Sequence, residues 1–262
     1  MTITTATPPN APGVGVTNLV FIGRSLRHTL RNVDALIMAI ALPVLLMLMF
    51  VFIFGGAMET GGDYVDYVVP GIILLCAGYG SAQTAVDVAE DMTNGIVDRF
   101  RTMPIQSYAV LTGHVVASLA RNLVATAIVV IVAFLLGFNT TAGPAEWCAA
   151  IGVIALYILA ITWLYSAIGL AAKSTAAASG YGFILMFLPY LSSAFVPVDS
   201  MPSWLQWIAE NQPITPVIET IRGLLTGTDI GNSAWWALGW CLLIILIAVG
   251  WGAWLFRRRT SR

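Results

Sequence analysis

The chain has 262 residues, of which 58% are hydrophobic and 10% charged, with a mean hydropathy of +0.86 and a formal net charge of −1. A soluble domain carries roughly 25% charged residues. The few charges here are bunched between long uncharged stretches, which excludes a water-soluble enzyme and fits a polytopic membrane protein. A net charge this close to zero gives no overall pull on nucleic acid, so no nucleic-acid partner is expected.

Residues 1–14 are rich in Thr and Pro, uncharged, and show no basic region followed by an apolar one. They read as a disordered cytoplasmic tail rather than a cleaved signal peptide. From Gly15 to Val33 the apolar Val16, Leu19, Val20, Leu26, Leu30 and Val33 recur at helical spacing, with Arg24, Arg27, His28 and Arg31 mainly on the other side. This pattern predicts an amphipathic helix over 15–33 lying in the headgroup layer; a plain basic flank that only fixes topology is the competing reading.

Residues 34–262 form one transmembrane domain. A spanning helix needs about 20 apolar residues, and uncharged runs at Ala35 to Met58, Tyr67 to Val86, Asn122 to Ala145, Trp147 to Ala172, Ser174 to Val198 and Ile230 to Phe256 predict six transmembrane helices in an all-α fold. Pro43 within the first is tolerable, because neighbouring helices can satisfy the carbonyl it frees. His114 and Arg121, just before the third apolar run, suggest that this helix begins earlier than the run itself. Cys76, Cys148 and Cys241 each lie in an apolar stretch without CxxC or His-ligand spacing and read as packing residues.

Orientation follows from the basic residues, which are retained in short cytoplasmic loops. Arg24, Arg27, Arg31, Arg99, Arg101, Lys173, Arg257, Arg258, Arg259 and Arg262 fall on one side; the opposite loops hold Arg222 together with Glu59, Asp63, Asp66, Glu146, Asp199, Glu210, Glu219 and Asp229. Both termini are therefore expected in the cytoplasm. On the outer side, Pro197 to Gly227 is too polar to span and too apolar for a free loop. Pro202 and Pro216 fall where prolines open helices, Thr215 can cap the second helix, and Glu219 suits its positive end. The segment reads as two short helices dipping into the outer leaflet, with Trp204 and Trp207 at headgroup level, or else as a lid on the outer surface.

Charge also gathers in one cytoplasmic stretch, DVAEDMTNGIVDRFRTMP, from Asp87 to Pro104. Asp87, Glu90 and Asp91 share a helical face, Asn94 and Gly95 supply a turn or cap, and Asp98, Arg99 and Arg101 alternate in sign around Phe100. This reads as a short amphipathic peg for a protein partner. Asp87 and Asp91 also spell DxxxD, a magnesium–pyrophosphate spacing of intramembrane prenyltransferases, but an accompanying second acidic cluster is lacking. A P-loop requires GxxxxGK[ST]; the single lysine lies in GLAAKST, where Ala172 replaces the needed glycine. Of the intramembrane polar groups, only Arg121 and Asp87 invite a functional reading, and snorkelling or mutual pairing would account for both.

NGIVDRFRTMPI (Asn94 to Ile105) and AFVPVDSMPSWLQWIAENQPITPVIETIRGLL (Ala194 to Leu225), on this six-helix layout, resemble the ABC-2 type transport permeases, closest to the daunorubicin/doxorubicin-resistance branch of actinobacterial exporters. The resemblance implies that Glu90, Asp91, Asn94, Gly95, Asp98, Arg99, Phe100, Arg101 and Pro104 belong to a coupling helix inserted into a separate ATP-binding subunit. The helix bearing Arg24, Arg27 and Arg31 would be the interface helix. Pro202, Trp204, Trp207, Pro213, Pro216, Glu219 and Arg222 would lie on re-entrant outer helices. It further implies a permease subunit in the cell membrane, paired with a second, identical or sister permease and exporting hydrophobic drugs or lipids. ATP and magnesium would be bound by the partner, with no cofactor, metal or catalytic residue in this chain. Where many relatives have Gly-Lys, this chain has Gly113 and His114. Met38, Met47, Met49, Phe50, Tyr79, Met186, Phe187 and Tyr190 are candidates to line an adaptable route, although packing or lipid contact accounts for most of them. Export of a glycolipid or polysaccharide, an intramembrane prenyltransferase and a non-transporting anchor are the other readings.

Overall fold

A computed structural model describes residues 33–56, 63–94 and 108–260. The expectations for the tail, for the amphipathic helix with Arg24, Arg27 and Arg31, and for Gly95, Asp98, Arg99, Phe100, Arg101 and Pro104 lie outside the described residues. Within those residues every regular element is helical. The elements are α1 (Val33–Met49, continuing as a π-helical turn Phe50–Phe54), α2 (Tyr64–Thr93), α3 (Tyr108–Leu135), α4 (Pro144–Ala171), α5 (Thr175–Leu185), α6 (Ser203–Asn211), α7 (Ile214–Thr226) and α8 (Ser233–Thr260), with 3₁₀ turns at Leu188–Leu191 and Val198–Ser200.

The bundle is organised around α2, which packs against α1, α3, α4, α5 and α7. Val68, Val69, Ile72, Ile73, Leu74 and Cys76 are fully buried along it. Four helices, α2, α3, α4 and α8, are long and apolar enough to cross a membrane, while α1 and the α5 region are shorter. α8 packs on α4 and carries exposed Trp235 and Trp236 near one end and Trp251 and Trp254 near the other. At 1.5 Å per residue the two pairs stand about 25 Å apart, a separation suited to the two faces of a hydrocarbon core.

Several boundaries differ from the hydropathy reading for identifiable reasons. α2 has 30 residues and is about 45 Å long, so Asp87, Glu90 and Asp91 form its last turns rather than opening a separate short helix. α3 runs from Tyr108 to Leu135, beginning ahead of the apolar run Asn122 to Ala145, as His114 and Arg121 suggest, and ending short of that run's end. It starts early because its polar residues find partners inside the bundle, and it stops at Gly137, whose φ of 97° few other residues adopt. α1 passes through Pro43, as expected.

The fifth apolar run, Ser174 to Val198, is not one continuous helix. α5 ends at Leu185, four residues before Pro189, where the proline ring would collide with that carbonyl and no N–H exists to bond it. The two helices expected after it are present, but they sit differently. Pro202 precedes α6, as expected, whereas Pro213 takes the cap position of α7 and Pro216 lies inside its first turn, where free N–H groups make a proline harmless. Thr215 does not cap; its hydroxyl donates to the Ala209 carbonyl. The apolar face of α7, including Val217, Ile218, Ile221 and Leu225, is buried against α2, α4 and α8 instead of facing lipid. Trp204 and Trp207 on α6 are exposed.

Candidate functional site

A layer of small polar side chains joins α2, α3 and α4 in the otherwise apolar interior. Asn122 Nδ2 donates to the Ser118 carbonyl (2.9 Å), to Ser118 Oγ (3.1 Å) and to Ser81 Oγ (3.3 Å). Ser81 and Thr162 hydroxyls share a hydrogen bond at 3.0 Å, and Thr84 Oγ1 donates to Ser118 Oγ at 2.9 Å. All five residues are buried, so in lipid these bonds hold three helices in register where hydrophobic packing alone would not distinguish one depth from another. Gly80 belongs to the arrangement, because a Cβ at that position would overlap the Asn122 carboxamide oxygen.

Arg121 extends this layer towards the surface. Its side chain is 6% exposed, and Nη2 donates to the Gly80 carbonyl at 2.8 Å and to Thr84 Oγ1 at 3.5 Å. Nη1 stands 3.9 Å from Asp87 Oδ2, while the other oxygen of that carboxylate accepts from Gln83 Nε2 at 2.9 Å. Of the two readings open from sequence, mutual pairing is what the structure shows, and the pairing is loose: charge-assisted bonds are normally about 2.7–2.9 Å. Arg121 lines a partly open cleft of about 570 Å³ between α1, α2, α3 and α5, whose other walls include Ala39, Leu42, Tyr79, Phe183 and Met186.

Tyr79 and Met186 therefore line a cavity, as candidates for an adaptable route should. Met47 does not; it is fully buried packing. Phe50 stacks on Phe195 at 4.3 Å, and Phe195 on Tyr190 at 5.3 Å, so two further candidates are held in an aromatic ladder between the end of α1 and the segment after α5.

At the end of α2, His114 Nε2 lies 2.9 Å from Asp91 Oδ2. Asp91 is turned into the bundle, whereas Glu90 and Asn94 are exposed at the point where the chain leaves α2. The DxxxD pair is thus split between two different basic partners, Arg121 and His114.

The opposite end of the bundle is secured by Arg222 on α7. Its Nη1 donates to Glu219 Oε1 (2.6 Å), its Nη2 to the Ser193 (2.8 Å) and Tyr67 (3.0 Å) carbonyls, and its Nε to the Tyr67 carbonyl (3.3 Å). The guanidinium also lies 3.8 Å over the Tyr67 ring. Tyr64 Oη donates to the Phe195 carbonyl (2.9 Å), and Thr140 Oγ1 and Thr141 N both donate to the Leu225 carbonyl (2.6 and 3.1 Å). The segment from Ser193 through α7 is thereby tied to α2 and to the loop after α3.

Charge counting along the sequence singles out Arg121 and Asp87 but not the polar layer beside them. The available signal was helical spacing: Ser81 and Thr84 are three residues apart, and Ser118 and Asn122 four.

A helical bundle with apolar outer faces, Trp residues towards both ends of α8 and long spans almost free of charge is a multi-pass membrane protein. Residues 18–226 match the ABC-2 type transporter family, and the chain belongs to that family. It is 28% identical over 245 residues to the daunorubicin resistance ABC transporter permease protein DrrB1 of Streptomyces coeruleorubidus, covering 93% of this chain and 84% of that one. It is 26% identical over 258 residues to a doxorubicin resistance permease of Mycobacterium tuberculosis named DrrC, covering 93% of each. It is also 28% identical over 207 residues to a multidrug ABC transporter permease of Escherichia coli K12 named YbhR, covering 75% of this chain and 54% of the other. The protein is accordingly a transport permease of the ABC exporter type.

Proposed function

We propose that this permease exports hydrophobic or amphipathic compounds, drugs or lipids, using ATP and magnesium bound by a separate ATP-binding subunit. In this reading it crosses the cell membrane six times. The α1 run with its π-helical end and the segment from α5 to Val198 supply the two crossings beyond the four long helices, and both termini lie in the cytoplasm. A second permease, identical or a sister chain, completes the pathway. The cleft beside Arg121 carries the functional reading: it is apolar on most sides, large enough for part of an amphipathic molecule, and polar on one wall.

Energy enters through Gly95 to Pro104, the segment docking on the ATP-binding subunit. That segment continues from α2, and α2 touches most of the other helices. Displacement at Asn94 would therefore tilt the helix that carries Tyr79, Gly80 and Gln83 along the cleft and Tyr67 beneath Arg222. Export by a binding-driven change of access requires such a shared rigid element.

The test is reconstitution in proteoliposomes of the permease with an ATP-binding subunit, followed by a fluorescent hydrophobic dye. Transport is expected to need both chains and ATP, and to be lost on scrambling Asp98 to Arg101 while the permease still inserts. Transport by this chain alone, or undiminished coupling after the scramble, would remove the proposal.

A further inference from the structure

We infer that the cleft lined by Arg121 is a recognition site for an anionic amphipath, a molecule with an oxyanion head on an apolar body. This deepens the export reading above and rests on it for the molecule's role as cargo. Arg121 is the one charged side chain among the described lining residues. Its hydrogen bonds within the described residues are made by Nη2; Nη1 has only the 3.9 Å approach of Asp87, and Nε donates to none of them. A guanidinium this buried is costly unless its donors are engaged. Asp87 is a poor competitor, since Gln83 holds one of its oxygens and the other is beyond hydrogen-bond reach. A carboxylate or phosphate entering along the cleft would find the uncommitted Nη1 and Nε donors of a guanidinium whose Nη2 is fixed on the Gly80 carbonyl. Leu42, Phe183 and Met186 would take the apolar body, and methionine adapts to varied shapes. The polar layer behind Arg121 keeps the side chain from swinging out to water, so the anion must come to the arginine.

The experiment uses the full-length chain in dodecylmaltoside with the fluorescent probe 11-(dansylamino)undecanoic acid, displaced by oleate, oleyl alcohol or oleylamine. Oleate should displace the probe at about tenfold lower concentration than the alcohol, equivalent to ~1.4 kcal/mol, and oleylamine should be weakest. Arg121→Lys should keep the order, Arg121→Gln should bring oleate and alcohol within about twofold of each other, and Leu42→Trp should weaken all three by filling the cleft. If Arg121→Gln does not fold, Ser179→Asp decides instead: it adds a repelling carboxylate at an exposed lining position outside the arginine's hydrogen bonds. Equal displacement by oleate and alcohol in the unaltered chain, preference for oleylamine, an oleate preference that persists in the deciding variant, or indifference to Leu42→Trp would each overturn the inference. No ATP-binding subunit is present, so failure of transport leaves this result standing, and loss of the anion preference leaves export standing.

Discussion

The two buried arginines of the described bundle sit in opposite circumstances. Arg222 is saturated: one carboxylate at 2.6 Å, two backbone carbonyls and the face of an aromatic ring take up its donors and its charge. Arg121 is as deeply placed but half-spent, with a carboxylate too far for a hydrogen bond and a cleft at its side. A saturated buried charge is a fastening, because any alternative position loses bonds that water cannot replace in the interior. A half-spent one keeps its capacity for something else, and that is the signature of a site.

This contrast can be broken or sharpened experimentally. Arg222→Ala should have the largest effect, about 3–5 kcal/mol of destabilisation, because it leaves Glu219, the buried Ser193 carbonyl and the part-buried Tyr67 carbonyl without their partner. Thermal unfolding in detergent reads it as a marked loss of folded protein, with Arg222→Lys only partly restoring it. Gly80→Ala should cost about 1–3 kcal/mol by driving a methyl group into Asn122. Combining it with Asn122→Ala should recover part of that loss, a non-additivity that a double-mutant cycle measures. Arg121→Gln should cost less than Arg222→Ala, about 1–2 kcal/mol, since fewer strong bonds are lost. Equal melting losses for the two substitutions would erase the distinction between fastening and site. His114→Ala should be the mildest, about 0.5–1.5 kcal/mol, for one part-buried hydrogen bond near the end of α2. A larger loss there would mean that the end of α2 is held more rigidly than its exposure suggests.

Much of the fold is legible along the sequence because lipid imposes one simple rule, an uncharged run of sufficient length. α1, α2, α4 and α8 obey it, and Pro43 shows that a proline in such a run need not end the helix. Pro189 breaks the same rule: Ser174 to Val198 is uncharged throughout, and hydropathy does not register whether an apolar residue is helical. Hydropathy likewise left open whether the outer segment dips into lipid or packs as a lid, since the apolar side of a short helix looks the same whether it meets acyl chains or another helix, and the burial of Ile218, Ile221 and Leu225 shows only in the packing. Of the site, Arg121 and Asp87 stood out as charges, whereas Ser81, Thr84, Ser118, Asn122 and Thr162 are individually unremarkable. Only the packing of α2, α3 and α4 turns them into one network.

The halting of α5 at Leu185 has a wider consequence. Where a continuous helix would have run on, the start of α7 packs on the Leu188–Leu191 turn, and Pro213, Ile214 and Val217 share a small cavity with Leu188, Pro189, Tyr157 and Ile161. Two blocks thus adjoin there, with no uninterrupted helix across the joint. A relative shift of the two would have to break the bonds of Arg222 and Gln212 to the Ser193 and Leu191 carbonyls, but no backbone bond within either helix.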